Sequence, residues 1–165
     1  MSLSVDPQRP LQLGVVGMGR AFTIMLPTFI QDTRIELVAG ADPRNEARLQ
    51  FERDFGGSAF KNYELLLDNA DIDIVYLATP ANLHVEQITK IISAGKHVLL
   101  EKPMALTIED AQQINEIVEE AGVHLVVGHS HGFNRPIQQT RELIVSGIYG
   151  RLQMLTALNY TDFMY

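Results

Sequence analysis

The chain holds no cysteine and no tryptophan among its 165 residues. The first absence removes disulfides, thiolate metal sites and cysteine nucleophiles together. Basic residues are scarce as well: 13 Lys and Arg stand against 20 Asp and Glu, for a formal net charge of −7. Nucleic-acid binding needs cationic patches to displace phosphate counterions, so the charge balance argues against that class of partner. Long apolar runs are also missing. None approaches the ~20 residues of a membrane span. The start, Met1-Ser2-Leu3-Ser4-Val5-Asp6-Pro7, has no basic segment leading into an apolar one. These absences predict a cytoplasmic protein with neither membrane nor nucleic acid as a partner. With 46% hydrophobic and 20% charged residues the chain can still build a core.

What is present is an alternation of two hydrophobic periods. Short apolar runs at 11–16, 35–41, 74–78, 97–100 and 123–127, with a weaker one at 59–60, read as strands. Helical spacing fills 22–30, 44–55, 63–67, 83–93, 107–121 and 137–145, and Gly56, Gly95, Gly122 and Gly147 stand at or just past four of the helix ends. Strands and helices in turn, joined by short connections, predict an α/β fold with a parallel sheet covered on both faces. The doubly wound Rossmann order 3-2-1-4-5-6 is the expected topology. Residues 1–9 read as a tail and 10–150 as one dinucleotide-binding domain. Beyond it, Leu152, Met154, Thr156, Leu158 and Tyr160 alternate with their neighbours. That pattern predicts 151–165 as the first strand of a second sheet, with the sequence cut at or near a domain boundary.

Four clusters carry chemistry. Gly17-Met18-Gly19-Arg20-Ala21-Phe22 follows a strand and opens a helix. There Gly17 suits a tight turn, and Gly19 lets a pyrophosphate approach the amides at the helix start. The third glycine of G-x-G-x-x-G is replaced by Phe22, so the match is partial. Asp42 ends the second strand about 20 residues on, where a carboxylate can hold the ribose hydroxyls of NAD. Because Pro43 follows, Asp42 reads equally as an N-cap with proline at the first helical position. An acid there disfavours the 2′-phosphate of NADP, and Arg44 offsets it, so the lean is to NAD with NADP allowed. Ala78-Thr79-Pro80 ends the fourth strand with His84 a turn later, and Glu101-Lys102-Pro103 ends the fifth. All lie at the sheet edge where ligands bind. A lysine facing a nicotinamide there is placed for acid–base work. His129 and His131 follow the sixth strand without an acidic partner at metal-ligand spacing, and no metal site is expected.

Taken together, Gly17-Met18-Gly19-Arg20, Ala41-Asp42-Pro43, Ala78-Thr79-Pro80 with His84, and Ala94-Gly95-Lys96-His97-Val98 leading into Glu101-Lys102-Pro103 resemble the glucose–fructose oxidoreductase and inositol dehydrogenase (Gfo/Idh/MocA) family. Arg20-Ala21-Phe22-Thr23, Gly128-His129-Ser130-His131 and the ending Thr156 to Phe163 are similar to a subgroup that oxidises phthalate cis-dihydrodiols. The resemblance implies that Lys102 is the catalytic lysine and that Glu101 and His84 lie near the cofactor. It also implies a C-terminal α/β substrate domain that the sequence does not include and of which 151–165 is the first strand, a hydroxylated small-molecule substrate, a homo-oligomer at full length, and little turnover from this chain alone. A non-catalytic NAD(P)-binding sensor of the same fold is the alternative, although a sensor has no use for Glu101-Lys102-Pro103. A glycosidase using transient NAD oxidation also fits this half, whereas a methyltransferase gives no reason for Lys102-Pro103.

Overall fold

We describe residues 9–68 and 71–158 of a computed structural model. The order of elements is β1 (Leu11–Val16), α1 (Arg20–Gln31), β2 (Ile35–Ala41), α2 (Asn45–Phe55), β3 (Ser58–Phe60), α3 (Tyr63–Leu67), β4 (Ile74–Leu77), α4 (His84–Ser93), β5 (His97–Leu100), α5 (Ile108–Ala121), β6 (Leu125–Val127) and α6 (Arg135–Ser146). The six strands form one parallel sheet in the order β3-β2-β1-β4-β5-β6, as the alternation of periods predicts. The central strands β1, β2, β4 and β5 are buried on both faces over most of their length and need no polar alternation, whereas the edge strands β3 and β6 are partly exposed.

Side chains divide between the two faces with the strand period of two. Val16, Val75, Leu77, Val98 and Leu100 pack with Leu66, Ile88, Ile91, Ile92 and Ile114, from α3, α4 and α5. Leu13, Val15 and Tyr76 pack with Phe22, Phe29 and Phe51, from α1 and α2. One irregularity matters for the site. Leu13 pairs with Leu37, but Gly14 pairs with Ala39, so Val38 is an extra residue in β2. Leu37 therefore packs under α1 and α2 while Ala39 and Ala41 pack on the other face. Such a bulge reverses which side the next residues serve. Gly40 now turns toward Met18 and Phe51.

The chain divides into two compact units, Met1–Gly128 and His129–Tyr165. The first ends with β6, earlier than position 150, and α6 buries no residue. The strand expected over 151–165 is not formed within 151–158, where no ladder partner supports it and the residues are exposed. Its remainder, including Tyr160, lies outside the described residues, as does nearly all of the 1–9 tail.

Phe51 is 2% exposed and its ring lies 5.0 Å from that of Phe55 and 6.4 Å from that of Phe22. Phe51→Ala is expected to cost about 3–5 kcal/mol, seen as a lower denaturant midpoint at an unchanged m-value.

Candidate functional site

The strand order reverses between β1 and β4, and the turns leaving their carboxyl ends cannot both occupy the same space. Gly17 resolves the conflict. It has φ +91°, and a Cβ there would lie 2.7 Å from the Ala78 carbonyl oxygen. No other residue fits so tight a turn against so near a strand. Gly19 is the N-cap of α1 and supplies no side-chain cap, nor is there an acidic residue in the first turn. A Cβ on Gly19 would meet nothing within 4 Å, so the backbone there faces open space. The first amides of α1 are thus free of side-chain caps at the positive end of the helix, with exposed Arg20 beside them. Phe22 is buried against Phe51 and Phe55, which explains the missing third glycine: that position serves the α1–α2 contact.

Asp42 is 5% exposed and fully engaged. Its Oδ2 accepts from the Met18 N–H and Arg44 Nη2, and its Oδ1 from the Arg44 N–H and Nε, all at 2.9 Å. Arg44 Nη2 also donates to the Met18 carbonyl at 2.8 Å, which straps the β2–α2 turn onto the glycine turn. The N-cap expectation for Asp42 is therefore corrected. Arg44 is the N-cap of α2, and Asp42 stands too early to reach the first amides. Burial pushes the Asp42 carboxyl up, but the bonds from Arg44 and from the Met18 amide outweigh it and hold the group below its ordinary range.

A cavity of about 430 Å³ opens above this edge. Gly17, Gly19, Asp42 and Arg44 line it together with Ala78, Thr79 and Pro80. Thr79 Oγ1 donates to Oε1 of the buried Gln87. Lys61, Asn62 and Tyr63 form a further wall. Sequence reasoning missed these three, yet a signal existed: they directly follow β3, whose last residue pairs with Ala41. Asn62 also caps α3, accepting from the Leu65 N–H at 3.1 Å.

Other expected residues fall elsewhere. Met18 is buried and contributes its backbone to Asp42, while Arg20, Ala21 and Phe22 do not line the cavity. His84 is not a lining residue either. It is 1% exposed, with Nδ1 3.1 Å from the Met104 carbonyl and Nε2 3.0 Å from the Thr79 carbonyl, so the ring lies between two backbone segments, donating to one carbonyl from the single N–H of a neutral imidazole or to both as the imidazolium. Glu101 and Lys102 stand past the end of β5, outside the cavity. Glu101 Oε1 accepts from the Tyr76 hydroxyl at 2.7 Å, and Oε2 from the Lys102 N–H at 3.2 Å. Lys102 is exposed rather than partly buried. His129 and His131 lie in the second unit. Among the described residues no group of three or more His, Asp or Glu could hold a metal ion, and no helix is long and apolar enough to cross a membrane.

A glycine turn at the switch point, an uncapped helix start and a buried carboxylate ending β2 define a dinucleotide-binding Rossmann domain. Residues 11–129 match the family model described as "Oxidoreductase family, NAD-binding Rossmann fold" (GFO_IDH_MocA), and the chain belongs to that family. It is 46% identical over 156 residues to a 1-carboxy-3-chloro-3,4-dihydroxycyclohexa-1,5-diene dehydrogenase of Comamonas testosteroni, covering 94% of this chain and 39% of the relative. The WlbA dehydrogenase of Bordetella pertussis, solved with NADH and UDP-GlcNAcA, superposes with a TM-score of 0.80 at 34% identity, over 87% of this chain and 42% of that one. The 3-ketoreductase KijD10 of Actinomadura kijaniata, solved with NADP, gives 0.74 at 31% identity, over 86% and 45%. The chain thus spans less than half the length of these relatives.

The Asp42 network makes a pH prediction. A depressed carboxyl contributes stability that is complete above its unfolded value, about 3.9, and is lost as the pH falls through the folded value. Asp42→Asn should lower stability at pH 7 by about 2 kcal/mol and flatten the acid limb below that unfolded value. Thermal melts of both proteins from pH 2 to 7 measure this.

Proposed function

We propose that this chain is the cofactor-binding part of an NAD(P)-dependent oxidoreductase that takes hydride from a hydroxyl-bearing carbon of a diol-type small molecule. The observation that carries the reading is the buried Asp42 carboxylate strapped to the glycine turn, beside a backbone that only glycine keeps open. The residues fit a dinucleotide: the adenosine ribose hydroxyls displace the Arg44 guanidinium from Asp42 and donate to its carboxylate in turn, and the amides from Gly19 into α1 take the pyrophosphate. Arg44 sets a cation on the acid and so tolerates the 2′-phosphate of NADP, with NAD preferred.

When bound, the nicotinamide supplies the hydride acceptor. Lys102, exposed at the end of β5, orients the reacting hydroxyl as an ammonium donor or, as the neutral amine, takes its proton. The Comamonas relative is named for a ring carboxylate bearing vicinal hydroxyls, which favours a cyclic dihydrodiol, a phthalate cis-dihydrodiol among them, over an isolated alcohol. The stretch from 151 leads into a substrate domain, and turnover belongs to the longer, homo-oligomeric protein, acting in the cytoplasm.

Calorimetric titration with NAD and NADP tests the reading. NAD should bind, and Asp42→Ala should weaken it by about tenfold. A folded chain that takes up neither dinucleotide overturns it.

A further inference from the structure

The largest fully buried side chain in the described structure carries a hydroxyl. Tyr76, in β4, is 1% exposed, and its ring meets Phe29 edge-on at 5.1 Å within the cluster under α1 and α2. Phenylalanine would fill that space without desolvating a polar group, which costs free energy unless the group finds a partner. The partner here is no core group. It is Glu101, one residue past the end of β5, whose Oε1 accepts from the phenol at 2.7 Å. Tyr76 pairs with Leu99 across the ladder, so the length of the ring carries the hydroxyl from inside the sheet up to the ligand-binding edge.

The effect on Glu101 is specific. One carboxylate oxygen is held from below by Tyr76 and the other by the Lys102 N–H. A carboxylate has about four acceptor positions, so lone pairs remain for donors arriving from outside the protein. Burial first, and then the bond to Glu101, push the Tyr76 phenol far above the usual tyrosine range, so it keeps its proton and donates to that carboxylate.

The geometry points to Tyr76 as a positioning residue for the nicotinamide half of the cofactor, acting through Glu101. The cavity between Asp42 and Thr79 takes the adenosine half and the pyrophosphate, which leaves the nicotinamide riboside to continue across β4 toward the end of β5. A carboxylate fixed there offers an acceptor to the ribose hydroxyls or the carboxamide N–H, and it aligns the backbone that carries Lys102. The inference rests on the dinucleotide reading above.

The test compares NAD with ADP-ribose, which keeps the half bound by Asp42 and the glycine turn but has no nicotinamide. Tyr76→Phe keeps the ring and its contact with Phe29. It should weaken NAD by about fivefold and leave ADP-ribose within about twofold. Glu101→Ala should show the same split, and adding Tyr76→Phe to it should cause no further loss, because the hydroxyl acts only through that carboxylate. A loss shared equally by both ligands, an unchanged NAD affinity, or additive losses in the double variant would each overturn the proposal. A wild-type chain that binds neither ligand would instead defeat the dinucleotide reading, and this inference with it.

Discussion

The close approach of Gly17 to the carbonyl of Ala78 is the constraint on which the site depends. The connections after the parallel strands β1 and β4 lead to helices on opposite faces of the sheet, and their first turns share one small volume. Because a Cβ at Gly17 would sit 2.7 Å from a backbone oxygen, the turn closes only with glycine and with a positive φ. Closing it sets the start of α1 at Gly19, which has no side chain to cap the first amides of the helix. It also brings the Met18 amide to where Asp42 can reach it. The cavity, the helix start and the carboxylate are consequences of one packing decision.

Around that decision the fold places buried polar groups where an apolar domain of this size would have none. Asp42, His84 and Gln87 are buried, Tyr76 is a buried phenol, and each has a partner near the carboxyl edge of the sheet. Buried polar groups cost more when half satisfied than when absent. No buried side-chain nitrogen or oxygen is left without a partner among the described residues. The ties join separate turns: Asp42 links the turns after β1 and β2, and His84 links the end of β4 to the segment after β5. Rigidity is thus concentrated where a ligand must meet several loops at once.

Much of this was legible in the residues. The two hydrophobic periods located every strand of the sheet to within two residues, because the central strands, buried on both faces over most of their length, leave largely apolar runs. Gly17, Gly19, Asp42 and the Ala78-Thr79-Pro80 segment were readable as an edge cluster because each ends a strand. The roles of His84 and Asp42 were not readable. A histidine in a first helical turn has no local mark that separates a ligand from a tie between carbonyls 3.0 and 3.1 Å away. An Asp-Pro pair looks like a cap until the helix is seen to begin at Asn45.

The sequence by itself determined the class of fold, the strand order and the edge of the sheet that carries the chemistry, since hydrophobic period and turn residues are local properties. Only the tertiary structure decided which way the edge residues face. The extra residue at Val38 reverses the alternation of β2 and turns Gly40 toward Met18. The pairing of Tyr76 with Glu101 joins residues on two neighbouring strands. Both depend on register between strands far apart in the chain, and register is a property of the assembled sheet that no single segment encodes.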